Sequence, residues 1–153
     1  MKVDEIDYEI LKCLRGDSQL SMKDLAKKIG IHNNTLLQRI KRLEKSGVIT
    51  KYSASVDYSK VGYDLTVVMM MKVKKGRSSY SAQDFDNIVK LKELEAFYST
   101  TGIWDLVAIL RVKNREHLNE VIQKVSTNPI VTKTASSIVL YPFKDPDQFN
   151  PFK

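Results

Sequence analysis

Along the first 46 residues the apolar positions recur at helical spacing in three runs. Ile6, Ile10, Leu11 and Leu14 form the first stripe, which Gly16-Asp17 ends. Ser21-Met22-Lys23-Asp24 has the form of a capping box and opens a short helix through Leu25, Ala26 and Ile29, closed by Gly30. Leu36, Leu37, Ile40 and Leu43 mark a third helix that stops at Ser46-Gly47. This predicts a compact tri-helical domain over 1–47.

From Val48 the pattern changes to period two with β-branched residues, predicting an extended hinge strand and linker over 48–62. A strand follows from Leu65 to Lys74, then a basic, serine-rich loop from Lys75 to Tyr80. Ser81-Ala82-Gln83-Asp84 opens a helix that buries Phe85, Ile88 and Val89. Two strands, Glu95 to Thr101 and Trp104 to Val112, flank a tight turn at Gly102-Ile103. A helix capped by Asn114 carries Leu118, Val121, Ile122 and Val125 on one stripe, and a last strand runs from Val131 to Tyr141. The order βαββαβ over 63–142 predicts a split βαβ, ferredoxin-like sheet with both helices on one face, so the fold class is α+β. A tail over 143–153 is rich in proline and phenylalanine, as a docking arm or a frayed end.

The strand pattern goes further. Leu65, Val67, Met69, Met71 and Val73 point one way and Thr66, Val68 and Met70 the other, while Leu106-Val107-Ala108-Ile109-Leu110 is apolar without a break. Two helices cover one face only, and soluble monomers avoid large bare apolar patches, so a second copy of the chain is expected on the other.

Charge refines the picture. The 153 residues carry a net charge of +7, and residues 21 to 51 hold eight basic side chains against two acidic ones. A cationic segment beside an acidic one points to a polyanionic partner. In a helix-turn-helix the second helix enters the major groove, and here that is His32 to Lys45. With Leu36, Ile40 and Leu43 inward, His32, Asn33, Asn34, Thr35, Gln38, Arg39, Lys41, Arg42 and Lys45 are the candidates for contact with double-stranded DNA. Asn and Gln can pair bidentately with adenine, Thr can meet a thymine methyl, and Lys and Arg neutralise phosphates or read guanine. The tri-helical setting raises this reading above that of a solvated basic helix.

At these residues the chain resembles the Lrp/AsnC, or feast/famine, transcriptional regulators. The resemblance rests on Asp4-x-x-Asp7-x-x-Ile10-Leu11-x-x-Leu14, Leu25-Ala26-x-x-Ile29-Gly30-Ile31, Arg39-Ile40-x-x-Leu43-Glu44-x-x-Gly47-Val48-Ile49 and Thr101-Gly102-Ile103-Trp104-Asp105, four signatures in register. It implies a winged or extended helix-turn-helix joined to a ligand-sensing (RAM, ACT-like) domain. It also implies homodimers that assemble into tetramers or octamers, and binding to pseudo-palindromic operators. A small amino-acid effector would lie between dimers, against Thr101, Gly102, Ile103, Trp104, Asp105, Thr134 and Ser136. There Asp105 would meet the ammonium and the hydroxyls the carboxylate. His32-Asn33-Asn34-Thr35 departs from the serine-led start usual in the family, which bears on the operator sequence.

Other chemistry finds little footing. His32 and His117 are far apart and lack metal-ligand spacing, Cys13 is the sole cysteine, and no Walker A or dinucleotide glycine fingerprint is present. No catalytic residue, metal or cofactor is expected. No apolar run approaches the roughly 18 residues of a membrane span and the N-terminus lacks a signal-peptide core, so the expected location is the cytoplasm. Two alternatives stand beside the regulator: a siroheme decarboxylase-like enzyme on the same fold, which would draw on His117, and an amino-acid sensor that never touches DNA.

Overall fold

A computed structural model describes residues 2–16, 20–74, 80–144 and 150–151. Asp17, all but the last residue of the loop expected from Lys75 to Tyr80, and most of the expected tail lie outside the described residues. Two compact units emerge, one of residues 1–55 with 144–153 and one of residues 56–143. The expected hinge over 48–62 is thus divided between them.

In the first unit α1 spans Glu5–Gly16, α2 Met22–Ile29 and α3 Asn33–Lys45. Ser21 caps α2 by accepting a hydrogen bond from the Asp24 N–H at 3.1 Å. Gly30 closes that helix at φ 79°, a left-handed conformation that favours glycine. The core collects Ile10, Leu11, Cys13, Leu25, Ala26, Leu36, Ile40 and Leu43. Leu37, expected on the buried stripe of α3, is exposed instead. A 13-residue helix has room for one inward row, and Leu36, Ile40 and Leu43 fill it. Ile49 packs against this core, but residues 50–57 pair with no strand among the described residues.

The second unit contains β1 (Leu65–Val73), β2 (Leu94–Ser99), β3 (Leu106–Val112) and β4 (Val131–Ile138) in the antiparallel order β2-β3-β1-β4. α5 spans Arg115–Ser126, and Asn114 caps it by accepting from the His117 N–H at 2.8 Å. The helix expected after Ser81 is a 3-10 turn, Ala82–Phe85, running into a short α4, Asp86–Val89. Phe85 and Ile88, three residues apart, both reach the sheet, whereas Val89 is exposed. The strands flanking Gly102 are shorter than expected, ending at Ser99 and restarting at Leu106, for a reason that belongs to the site below.

Register sets the two faces. Val67, Met69 and Met71 lie opposite Leu110, Ala108 and Leu106, and all six are buried with Phe85, Ile88, Leu118, Val121 and Val125. On the other face Val68 and Met70 lie opposite Ile109 and Val107, flanked by Ala96 on β2 and Ala135 on β4. At the end of that face the Arg111 guanidinium stands 5.1 Å from the centre of the Tyr58 ring of a 3-10 turn, Tyr58–Val61. The face is framed by polar groups at this end, where Arg111 donates to Glu95 at 2.6 Å and to the Thr66 hydroxyl at 2.8 Å.

Candidate functional site

At about 100° per residue, burying Leu36, Ile40 and Leu43 places Asn34, Leu37, Gln38, Lys41 and Lys45 in one row on the opposite side of α3. All five are exposed. His32 sits at the N-cap without a side-chain capping bond, and His32, Asn33 and Thr35 are exposed around the positive end of the helix. The row combines amide groups suited to base edges, an aliphatic side chain suited to a thymine methyl, and two ammonium groups suited to phosphates. Leu37 was not counted in this row from sequence because its hydrophobicity assigned it to the core. Its spacing, three residues after Asn34 and four before Lys41, carried the signal.

Arg39 corrects the reading of charge. Its guanidinium Nη1 donates to both Asp4 oxygens at 2.7 Å and to Asp7 Oδ1 at 2.8 Å, while Arg42 Nη2 donates to Asp7 Oδ2 at 2.5 Å. Asp4 and Asp7 cap α1 reciprocally: the Asp7 N–H donates to Asp4 at 2.9 Å and the Asp4 N–H to Asp7 at 3.1 Å. Asp7 is 0% exposed, a buried carboxylate made tolerable by two arginines. The Arg39 bond, followed by the Asp7 N–H, holds the Asp4 carboxyl below its usual 3.8, and Asp4 in turn raises Arg39. Arg39 and Arg42, both counted among the candidate DNA contacts from sequence, tie α1 to α3 through these pairs. Lys23, Lys27 and Lys28 on α2 remain exposed beside the row's Lys41 and Lys45.

In the second unit the β2–β3 connection is a six-residue loop, Thr100–Asp105, because Asp105 is drawn to β1. Its N–H donates to the Met71 carbonyl at 3.0 Å, and its Oδ2 accepts from the Val73 N–H at 3.0 Å. The Thr100 N–H and hydroxyl close the loop on the carbonyls of Asp105 and Trp104, at 2.9 and 2.8 Å. Gly102 takes φ 103° at its tip. Beside this junction lies an open depression of about 640 Å³ lined by Lys72, Val73, Lys74, Asp105, Thr132 and Lys133. Asp105 Oδ1 is 3.5 Å from Lys72 Nζ, and Lys133 Nζ stands 5.9 Å from the centre of the Trp104 ring.

Of the residues expected to hold an effector, Asp105 lines this depression and Trp104 stands outside the lining, beside Lys133. Thr101, Gly102 and Ile103 are exposed on the loop, with Ile103 at 80%. Thr134 and Ser136 lie opposite Met71 and Met69, which places them on the helix-covered side of the sheet and outside the lining. The lysines were missed because their convergence depends on the β1–β4 register, in which Lys72 and Lys133 are direct partners.

His117 is committed within the fold. The Lys113 N–H donates to Nδ1 at 3.2 Å, so Nε2 carries the proton and faces Glu93 Oε1 at 2.9 Å. Burial pushes the Glu93 carboxyl up, but the His117 bond and a backbone bond outweigh it, leaving the group below its usual 4.5. A tetrapyrrole enzyme would have to break this pair to use His117.

Comparison with known proteins agrees with both units. Residues 3–50 match the winged helix-turn-helix DNA-binding family and residues 66–149 the Lrp/AsnC ligand binding domain. The HTH-type transcriptional regulator FL11 of Pyrococcus horikoshii is 36% identical over 143 residues, covering 94% of this chain and 93% of its own. The solved E. coli AsnC superposes with a TM-score of 0.85 at 25% identity, covering 95% and 97% of the two chains. A transcriptional regulator of Neisseria meningitidis, solved as its L-Met complex, superposes at 0.87 with 22% identity over 94% of each, a likeness of fold. With a helix-turn-helix match over the first unit, a ligand-domain match over the second and a relative 36% identical along nearly the whole chain, the chain belongs to the Lrp/AsnC family of DNA-binding transcriptional regulators.

Proposed function

We propose that this regulator binds pseudo-palindromic operators as a homodimer or a larger even assembly, acts in the cytoplasm, and responds to an amino acid or related small molecule bound between dimers. One observation carries the reading: on the face of the sheet opposite α4 and α5, the half-buried centre formed by Val68, Met70, Val107 and Ile109 is apolar. Apolar strands with one bare face call for a partner, and two-fold pairing presents the same patch from both chains. It also presents two α3 rows, which then meet half-sites separated by whole helical turns of about 34 to 36 Å. The amino-acid class of effector is supported by the L-Met complex of the Neisseria regulator and by the depression next to Asp105. A ligand shifts the regulator only if it favours one arrangement over another.

Light scattering of the wild type and of Ile109→Lys tests the pairing. The wild type should run at twice the 17.5 kDa chain mass or a multiple of it, and the lysine variant should shift toward the single chain. A folded wild type of 17.5 kDa at micromolar concentration would end the symmetric model. Footprinting across the genome with and without each amino acid then reads operator symmetry and effector together.

A further inference from the structure

We infer that the effector is an amino acid with an anionic side chain, held by Lys72, Lys74 and Lys133 at the end of the sheet; this rests on the effector reading above and names the chemical class of its ligand. The lining of the depression contains three ammonium groups and one carboxylate. Lys72 and Lys133 are direct cross-strand partners, an arrangement of like charges that is unfavourable unless something neutralises it. Asp105 pairs with Lys72 at 3.5 Å, and its other oxygen accepts from the Val73 N–H at 3.0 Å, which places the carboxylate at the β1 end of the depression. Lys133 faces the Trp104 ring, and among the described residues neither Lys133 nor Lys74 has a carboxylate within ion-pair distance.

The missing counter-charge is the signature of the ligand. An acidic amino acid brings two carboxylates and one ammonium, which match Lys133 and Lys74, Lys72, and Asp105 respectively. A neutral amino acid brings no net charge and leaves the lysine surplus in place. A basic one adds to it, and like-charge juxtaposition rejects it. Thr132, whose hydroxyl donates to the Lys72 carbonyl at 3.2 Å, holds the strand ends together beneath the site. The competing role for these lysines is to keep the edge strand β4 from pairing with foreign strands, which needs no ligand.

Trp104 is the only tryptophan and lies beside Lys133, so its fluorescence reports the site in the full chain. Titrations by fluorescence and calorimetry would use L-glutamate, L-aspartate, succinate, L-lysine, L-leucine and L-methionine at matched ionic strength. Expected is saturable binding of L-glutamate or L-aspartate at least about tenfold tighter than any neutral or basic amino acid, with succinate weaker than the acidic amino acids. Lys133→Gln should weaken the acidic ligand by about tenfold or more, and Lys133→Glu should move preference toward L-lysine. Equal affinity for neutral and acidic amino acids, or full affinity in Lys133→Gln, would assign the lysines to edge protection and overturn the inference. Succinate matching glutamate would remove Asp105 from the ligand and with it the amino-acid class. Tight binding of neutral amino acids alone overturns only the anionic class, whereas failure of every amino acid to bind, with DNA binding intact, overturns the effector reading as well.

Discussion

The cations of α3 and those at the end of the sheet are arranged in opposite ways. On α3, Arg39 and Arg42 meet Asp4 and Asp7, a neutral quartet that joins two helices, while Lys41 and Lys45 point outward. At the sheet end the lining holds three lysines and one carboxylate, which pairs with Lys72. The matched charges join elements of the fold, and the proposed ligand contacts turn on the surplus. A count of basic residues cannot tell the two apart, because the partners of Arg39 lie 32 and 35 positions away in the chain.

The largest expected effect comes from breaking the quartet. Arg39→Ala leaves the buried Asp7 with Arg42 alone and should destabilise the first unit by about 3 kcal/mol, read from urea unfolding. Among molecules that remain folded, the salt dependence of DNA binding should be unchanged, since this guanidinium faces α1. A reduced salt slope with unchanged stability would return Arg39 to the DNA surface. Next in size is Gln38→Ala, which should relax preference at one base pair by about 1 to 3 kcal/mol if the amide reads a base edge. Equal losses on all sequences would remove Gln38 from base reading. Leu37→Ala offers a smaller companion test at a thymine.

Much of this was legible in the chain. The repeats Leu36, Ile40, Leu43 and Leu118, Val121, Val125 mark α3 and α5 because a helix side chain meets the core every three to four residues, whatever the rest of the molecule does. The alternation in β1 marks its two faces for a similar local reason. What escaped depends on distant partners. Asp105 reaches across to Val73, 32 residues earlier, and thereby lengthens the loop beyond the tight turn expected at Gly102-Ile103. The facing of Thr134 and Ser136 depends on the register of β4 against β1, and a one-residue slip would reverse it. Leu37 escaped for the converse reason: composition suggested core, and only the competing inward row shows otherwise.

Acid should separate the two units. Asp4 and Glu93 both titrate below their usual values of 3.8 and 4.5, so on acidification the unfolded chain takes up their protons before the folded one does. Their contributions are fully present above those usual values and are lost as pH falls through the lowered ones. Loss therefore begins at higher pH for Glu93, in the sheet unit, than for Asp4, in the helical unit. Urea midpoints measured from pH 6 down to 3 should fall less steeply from about 4.5 in Glu93→Gln and from about 3.8 in Asp4→Asn. Stability that rises on acidification through this window would reverse the assigned direction of both shifts.

The smallest expected effect falls on Lys45. It lies on the outward row, has no carboxylate within ion-pair distance among the described residues, and sits in the last turn of α3. A phosphate contact there releases about one counterion, so Lys45→Gln should lower the slope of log affinity against log salt by about 0.9 per chain while leaving the order of preference among operators intact. Folding should be little affected, because Lys45 is exposed. Arg39→Ala supplies the mirror image, a loss of stability without a change of slope. Measured side by side, the two variants separate a cation that holds α3 from one that meets DNA, and an identical response in both would dissolve the distinction between matched and surplus charge on this helix.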